Sequence, residues 1–80
     1  MQERDAKLYK AIANVLRSER EKKNYKFTIF CYENDIAKSL LNTIENGKTQ
    51  TYFSNIARVI KALGLSFEEF GKLLDEELKR

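Results

Sequence analysis

The residues that would interrupt a helix are nearly absent from this 80-residue chain. It contains no proline, and its three glycines fall at positions 47, 64 and 71. Proline and glycine oppose helix formation more strongly than any other residues, so helices can end at few positions. Apolar residues recur at helical spacing near the start of the chain, at Leu8, Ile12, Val15 and Leu16. The sequence therefore predicts an all-α domain of five helices.

The first helix is predicted from about Asp5 to Lys23, where Asn24 tolerates the left-handed conformation that ends a helix. The next segment, Phe27–Tyr32, has the aromatic and β-branched content of a strand. Nothing else in the chain offers it a partner strand, and an isolated strand is not stable. We therefore predict a short buried helix there.

Three further helices follow from local signals. The third, about Ala37 to Glu45, directs Leu41 and Ile44 inward and ends at Asn46-Gly47. The fourth is predicted to be capped by Thr51 and to end at Gly64. Its apolar stripe comprises Phe53, Ile56, Ala57, Ile60 and Leu63. The fifth begins with a capping box, Ser66-Phe-Glu-Glu69.

Composition narrows the class of protein. The length fits one domain, residues 1–80, and no segment approaches the ~20 apolar residues of a membrane span. The first ten residues lack the apolar core of a signal peptide. One cysteine and no histidine fit a reducing cytoplasm and make a zinc site improbable. With no glycine-rich phosphate loop or catalytic cluster, we expect neither an enzyme nor a cofactor.

Charge is distributed unevenly. Residues 1–26 hold eight basic and four acidic side chains, whereas residues 66–80 hold three basic and five acidic ones. A basic N-terminal segment of this kind is compatible with a polyanionic partner. The net charge of +3 is mild, however, and ordinary solvated helix faces explain the same pattern.

Two segments carry a resemblance to a known family. Ile44-Glu-Asn-Gly-Lys-Thr49, followed by Ile56-Ala-Arg-Val-Ile-Lys-Ala-Leu-Gly-Leu65, resembles the phage repressor and Cro (Xre-type) helix-turn-helix family. The resemblance covers roughly residues 8 to 70. It implies a lambda-repressor-like five-helix fold with the helix-turn-helix motif at about residues 27–45. It also implies a sequence-specific transcriptional regulator, cytoplasmic and encoded by a bacterium or phage.

The resemblance also implies roles for individual residues. Arg20 and Glu45 match a structural ion pair between the first and third helices. The positions expected to contact double-stranded DNA are Phe27, Ala37, Lys38, Ser39, Asn42, Thr43, Lys48, Thr49 and Tyr52. The inward orientation of Leu41 and Ile44 is consistent with the contacts expected on the third helix, because it turns positions 38, 39, 42 and 43 away from the core.

The sequence departs from the family pattern at several positions. Phe27 replaces a glutamine that contacts phosphate and base, and Asp35 replaces the glycine of the turn. Cys31 replaces a small alanine, and Ala37 replaces a capping serine or threonine. Leu40 is expected to be exposed. Phe27 and Asp35 weigh most against DNA binding.

Two functions stay open from the sequence. The first is a homodimeric repressor or operon controller on a palindromic site, since one recognition helix reads only a few base pairs. Its predicted dimer interface lies on the fifth helix, at Phe67, Phe70, Leu74 and Leu78, although these residues could instead complete the core of the monomer. The second is a protein-interaction module with a degenerate DNA face, whose apolar patch comprises Phe27, Tyr32, Leu40 and Tyr52. Neither function involves a membrane or a metal.

Overall fold

The computed structural model describes residues 3–48 and 50–80, which form five helices and no strand. The helices are α1 (Glu3–Lys22), α2 (Phe27–Glu33), α3 (Lys38–Asn46), α4 (Phe53–Ala62) and α5 (Phe67–Leu78). The predicted fold class is therefore confirmed, including a helix rather than a strand that begins at Phe27. That helix is not buried as predicted, because only Phe30 and Cys31 of its residues are buried. No described helix is both long and apolar enough to cross a bilayer.

Helix α1 is the element against which α3 and α5 pack, while α2 and α4 pack on α3. Its buried stripe comprises Ala11, Ile12, Ala13, Val15 and Leu16. Leu8 was predicted to share this face but is 37% exposed, so the stripe starts one turn later than expected. Both α3 and α5 pack on α1, which places the first and last helices of the domain side by side. Burial of this stripe removes apolar surface from water and so contributes to the stability of the fold.

Left-handed residues end α1 and shape the turn before α3. Asn24 has φ 60° and follows α1, as predicted, while Asp35 has φ 53° between α2 and α3. A short polar side chain tolerates this conformation better than other non-glycine residues do. After the turn at Asp35 the chain places Ile36 in the core, and its N–H donates to the Cys31 carbonyl at 2.9 Å.

Helix α3 ends at Gly47, where two separate requirements select glycine. Its φ is 63°, and a Cβ at this position would lie 2.8 Å from the Tyr9 carbonyl oxygen and 2.9 Å from the Cβ of Ala13. A side chain there would be strained and would also collide with α1. The end of α3 is therefore pressed directly onto the backbone of α1.

Helix α4 differs from the prediction at its start. The N-cap is Tyr52 rather than Thr51, and no side chain caps the helix. Ile56, Val59 and Ile60 are buried as an apolar stripe should be, but Phe53 is 60% exposed. The reason is its position in the first turn, beyond the edge of the core, where its ring contacts Phe67 with 6.1 Å between centroids. Gly64 follows the helix with φ 78°, as expected.

Helix α5 begins with the predicted capping box. Ser66 Oγ accepts from the Glu69 N–H at 3.0 Å, and Glu69 Oε1 accepts from the Ser66 N–H at 2.9 Å. Phe70 is 5% exposed and belongs to the core. Its assignment to a dimer interface is therefore corrected, because the ring is already covered by its own chain.

Leu40 on α3 also differs from the prediction. It was expected to be exposed, but it is half-buried and packs against the core cluster. As the third residue of α3, Leu40 lines a groove together with Tyr52 and Phe53 at the start of α4. Leu40 therefore contributes to packing, not to the exposed face.

Candidate nucleic-acid interface

A buried ion pair fixes α3 relative to α1. Arg20 Nε donates to Glu45 Oε2 at 2.7 Å, and Arg20 Nη2 donates to Glu45 Oε1 at 3.1 Å. Both side chains are buried, and this is the pair that the family resemblance implies. Two parallel bonds between a planar guanidinium and a carboxylate restrict orientation as well as distance. The pair therefore sets how α3 presents its opposite face.

The same guanidinium also organises the start of α2. Arg20 Nη1 donates to the Tyr25 carbonyl at 2.7 Å, and the Arg20 guanidinium carbon lies 5.5 Å from the centroid of the Phe27 ring. The hydrogen bonds to Glu45 raise the pKa of Arg20, with burial acting in the opposite direction. Phe27 is half-buried against this cation, a cation–π contact inside the protein. Its predicted contact with DNA stays a prediction.

The outer face of α3 is polar and exposed. Lys38, Ser39 and Asn42 are exposed, whereas Leu41, Ile44 and Glu45 are buried on the opposite side. Within the described residues, no hydrogen bond or ion pair engages the side chains of Lys38 and Asn42. Their amine and amide groups are thus available to an external partner. The structure brings these three predicted site residues together on one face.

Thr43 lies at the edge of that face. It is half-buried, and its hydroxyl donates to the Ser39 carbonyl one turn earlier at 2.9 Å. With its proton engaged, the hydroxyl can act toward a partner only as an acceptor. A hydrogen bond at Thr43 is therefore restricted to a donor on the partner.

The remaining predicted contacts surround α3. Ala37 is the exposed N-cap of α3, Tyr52 is the exposed N-cap of α4, and Lys48 is exposed directly after Gly47. Thr49 lies outside the described residues, so the contact expected there stays a prediction. These positions flank the polar face at both ends of α3.

The helix starts around this face are free of caps and of acidic residues. Helices α2, α3 and α4 have no side-chain cap and no acidic residue in the first turn. In contrast, α1 and α5 both carry acidic residues there, and α5 has a complete capping box. Free N–H groups at a helix start, together with the helix dipole, attract anions. The starts of these three helices are thus suited to an anionic partner, whereas the exposed Asp35 in the turn before α3 opposes one.

No family model matches the sequence, and no curated protein does. The structure is similar to the crystal structure of the restriction-modification controller protein C.Esp1396I, a tetramer in complex with its natural 35 base-pair operator. The TM-score is 0.83 at 18% sequence identity, over 91% of this chain and 96% of that chain. The two chains share one fold.

Three features near the site were not anticipated from the sequence. Arg58 on α4 donates through Nη2 to the Asp35 carbonyl at 2.9 Å and so supports the left-handed turn before α3. Asn46 is exposed one turn beyond Asn42 on the same face, a position that four-residue spacing could have identified. Arg17 donates to the Glu45 carbonyl at 3.3 Å, a contact between distant segments that no local pattern signals.

Proposed function

We propose that this protein is a sequence-specific DNA-binding transcriptional regulator that acts as a homodimer on a palindromic site. The observation that carries the proposal is the exposed face of α3, on which Lys38 and Asn42 have no partner among the described residues. Lysine pairs with guanine or phosphate, and asparagine pairs with adenine through two hydrogen bonds. A helix rigidly held from behind can carry such contacts into a major groove.

Phosphate contacts would come from the surroundings of that face. The uncapped starts of α3 and α4 offer backbone N–H groups, and Lys48 adds a positive charge beyond the end of α3. Phosphate contacts position a protein on the duplex, while contacts to base edges provide sequence preference. We assign Lys48 and Tyr52 to positioning, and Lys38, Ser39 and Asn42 to reading.

The fold supports the same function. A controller protein with this fold binds its natural operator as a tetramer. Fold alone does not determine function, and so the proposal rests first on the chemistry of α3. A DNA partner also places the protein inside the cell, and we propose the cytoplasm of a bacterium.

The dimer surface that we propose centres on an exposed aromatic pair. Phe53 is 60% and Phe67 is 51% exposed, and the two rings touch each other. Leu74 and Leu78 are half-buried, Leu74 partly against the core, and they follow Phe67 by seven and eleven residues, which puts all three on one face of α5. A second copy would cover this surface. This surface retains Phe67, Leu74 and Leu78 from the interface predicted from the sequence. It adds Phe53 and omits Phe70.

The alternative of a protein-interaction module has less support. Two of the four residues in its proposed apolar patch, Phe27 and Leu40, pack against the core. Tyr32 and Tyr52 stay 87% and 82% exposed, but each carries a hydroxyl that water can satisfy. The remaining patch is therefore small and partly polar.

Selection of bound duplexes from a random pool tests the proposed function. We expect enrichment of a two-fold symmetric sequence, with half-sites about one helical turn apart. Affinity for the selected duplex should fall steeply with salt, as phosphate contacts require. Absence of enrichment, together with binding to a protein partner that salt hardly affects, would favour the interaction module.

A further inference from the structure

A chain of polar contacts links the last helix to the end of α3. Asn14 Nδ2 donates to Glu77 Oε2 at 3.2 Å, and Asn14 Oδ1 accepts from Arg17 Nη2 at 2.9 Å. Arg17 Nη1 then donates to the Glu45 carbonyl at 3.3 Å. The chain thus runs from α5, through two side chains of α1, to the backbone of α3.

The chemistry of each partner fixes the direction of these bonds. A carboxylate can only accept and a guanidinium can only donate. The Asn14 amide must therefore point its NH₂ group toward Glu77 and its oxygen toward Arg17. Glu77 itself is held at the helix surface, with its side chain 20% exposed and Arg80 at 3.9 Å.

The last hydrogen bond of this chain, from Arg17 to the Glu45 carbonyl, can affect the orientation of α3. Glu45 lies in the last turn of α3, where carbonyl groups have no partner within the helix and the dipole is negative. A guanidinium at that carbonyl satisfies a lone pair and opposes the dipole. It also adds a second point of attachment to α1, separate from the Arg20 ion pair on the Glu45 side chain.

We infer that Asn14, Arg17 and Glu77 form a positioning relay that ties the orientation of the recognition helix to α5. Arg17 is the positioning residue, Asn14 orients Arg17, and Glu77 orients Asn14. The inference rests on the proposed function, because orientation of α3 matters only if α3 reads bases. Since α5 also carries most of the proposed dimer surface, the relay connects assembly with base reading.

The test measures the affinity of the full chain for the selected duplex and for a random duplex, over a series of salt concentrations. The ratio of the two affinities does not depend on the fraction of protein that is folded. For Arg17→Ala we expect the ratio to fall about fivefold, the worth of one modest hydrogen bond, with the salt slope unchanged. Arg17→Lys keeps the charge but loses the fork that bridges two acceptors, and its ratio should fall similarly.

A matched control separates positioning from simple attraction of phosphate. Lys7 is another exposed basic residue of α1, and none of the described residues engages it in a hydrogen bond or ion pair. Lys7→Ala should leave the affinity ratio unchanged. The inference is overturned if Arg17→Ala weakens both duplexes equally, reduces the salt slope by about one and is restored by Arg17→Lys, because these are the signs of a phosphate contact.

The link to α5 is tested by the other two residues. Asn14→Ala and Glu77→Ala should each lower the ratio, whereas Glu77→Gln retains an accepting oxygen and should match the parent. A double-mutant cycle between Asn14 and Arg17 should show less than additive loss. A parent-like ratio for both Asn14→Ala and Glu77→Ala overturns the relay. A parent chain that does not discriminate between the duplexes overturns the proposed function itself, and the relay with it.

Discussion

Both carboxylate oxygens of Glu45 accept hydrogen bonds from the single guanidinium of Arg20, at 2.7 and 3.1 Å. The two residues lie 25 positions apart, on α1 and α3. Their side chains are 11% and 8% exposed, so removal of one partner leaves the other charge buried without compensation. This relationship makes the orientation of α3 sensitive to a residue far from its exposed face.

Arg20→Ala should lower the free energy of unfolding by about 3 kcal/mol, because it leaves the Glu45 carboxylate buried and unpaired. Arg20→Lys should cost less but still destabilise, since an ammonium cannot make the same pair of parallel bonds. Urea denaturation followed by circular dichroism measures both. Lys7→Ala, which removes an exposed charge from the same helix, is the control and should change stability little. An unchanged urea midpoint for Arg20→Ala would contradict a stabilising role for the pair.

The three glycines should respond differently to alanine. Gly47→Ala should destabilise by about 3 kcal/mol, because it combines a strained backbone with a collision against α1. Gly64→Ala has a similar φ of 78° but open space around it, so we expect a cost of about 1 kcal/mol. Gly71→Ala, in open space within α5, should stabilise by about 0.5–1 kcal/mol. Thermal unfolding of the three variants gives the order, and equal effects at positions 47 and 64 would contradict the close approach described.

Asn42 and Lys48 should affect DNA binding in different ways. Asn42→Ala is expected to relax base preference at one position of the selected site by about 1–3 kcal/mol. Lys48→Ala should weaken selected and random duplexes alike and reduce the salt slope by about one. Competition binding against single-base variants of the selected duplex measures both effects. If neither variant differs from the parent, α3 is not the reading helix.

Phe67→Glu should convert the proposed dimer to a monomer without unfolding the chain, because the ring is exposed in one chain and a carboxylate there opposes a second copy. Light scattering over a concentration series measures the mass. Tyr32→Glu, at a more exposed aromatic residue on α2, is the matched control and should leave the mass unchanged. A parent chain with a mass of 9.4 kDa at high micromolar concentration would remove the dimer from the proposal.

Glu69 should make α5 sensitive to acid. Its pKa is lowered, first because its carboxylate accepts the backbone N–H of Ser66, and further through the Ser66 side chain. A carboxyl group whose pKa is lower in the folded state stabilises above its unfolded value of 4.5, and this stabilisation is lost as the pH falls through the folded pKa. The difference in melting temperature between the parent and Glu69→Gln should therefore shrink as the pH falls below 4.5.

Glu68→Gln is the control for that comparison. This substitution removes a charge from the same first turn of α5. The Glu68 carboxylate, unlike that of Glu69, makes no hydrogen bond with the described residues. If Glu68→Gln and Glu69→Gln respond equally to acid, the effect belongs to the helix dipole and not to the capping box.

Helix ends were predicted from the sequence where local backbone chemistry decides them. Asn24, Gly47 and Gly64 all take left-handed conformations, and Ser66 with Glu69 forms its capping box. Such features depend on a few neighbouring residues. The N-cap of α4 was placed one residue too early, at Thr51 rather than Tyr52, because a suitable hydroxyl does not guarantee a cap when the backbone bends one residue later.

The sidedness of several apolar residues could not be predicted. By their spacing, Leu8 and Phe53 belong to apolar stripes and Leu40 belongs to an exposed face. Packing between helices, however, decides which residues at the edge of the core are buried. The polar face of α3 was predicted because buried Leu41 and Ile44 determine its direction. The bond between Asn14 and Glu77 joins residues 63 positions apart, and helical spacing carries no information at that range.

The bare starts of α3 and α4 have a consequence for the engineering of heat resistance. Aspartate or serine at position 37 or 52 would satisfy the free N–H groups of the isolated chain and should raise its melting temperature. The same substitutions would fill the positions proposed for phosphate and, with aspartate, repel it. Selection for thermostability alone would thus be expected to reach these two positions early and to return robust proteins that no longer bind. Under the proposed function, the stability of the isolated chain and its binding of phosphate depend on the same few backbone amides.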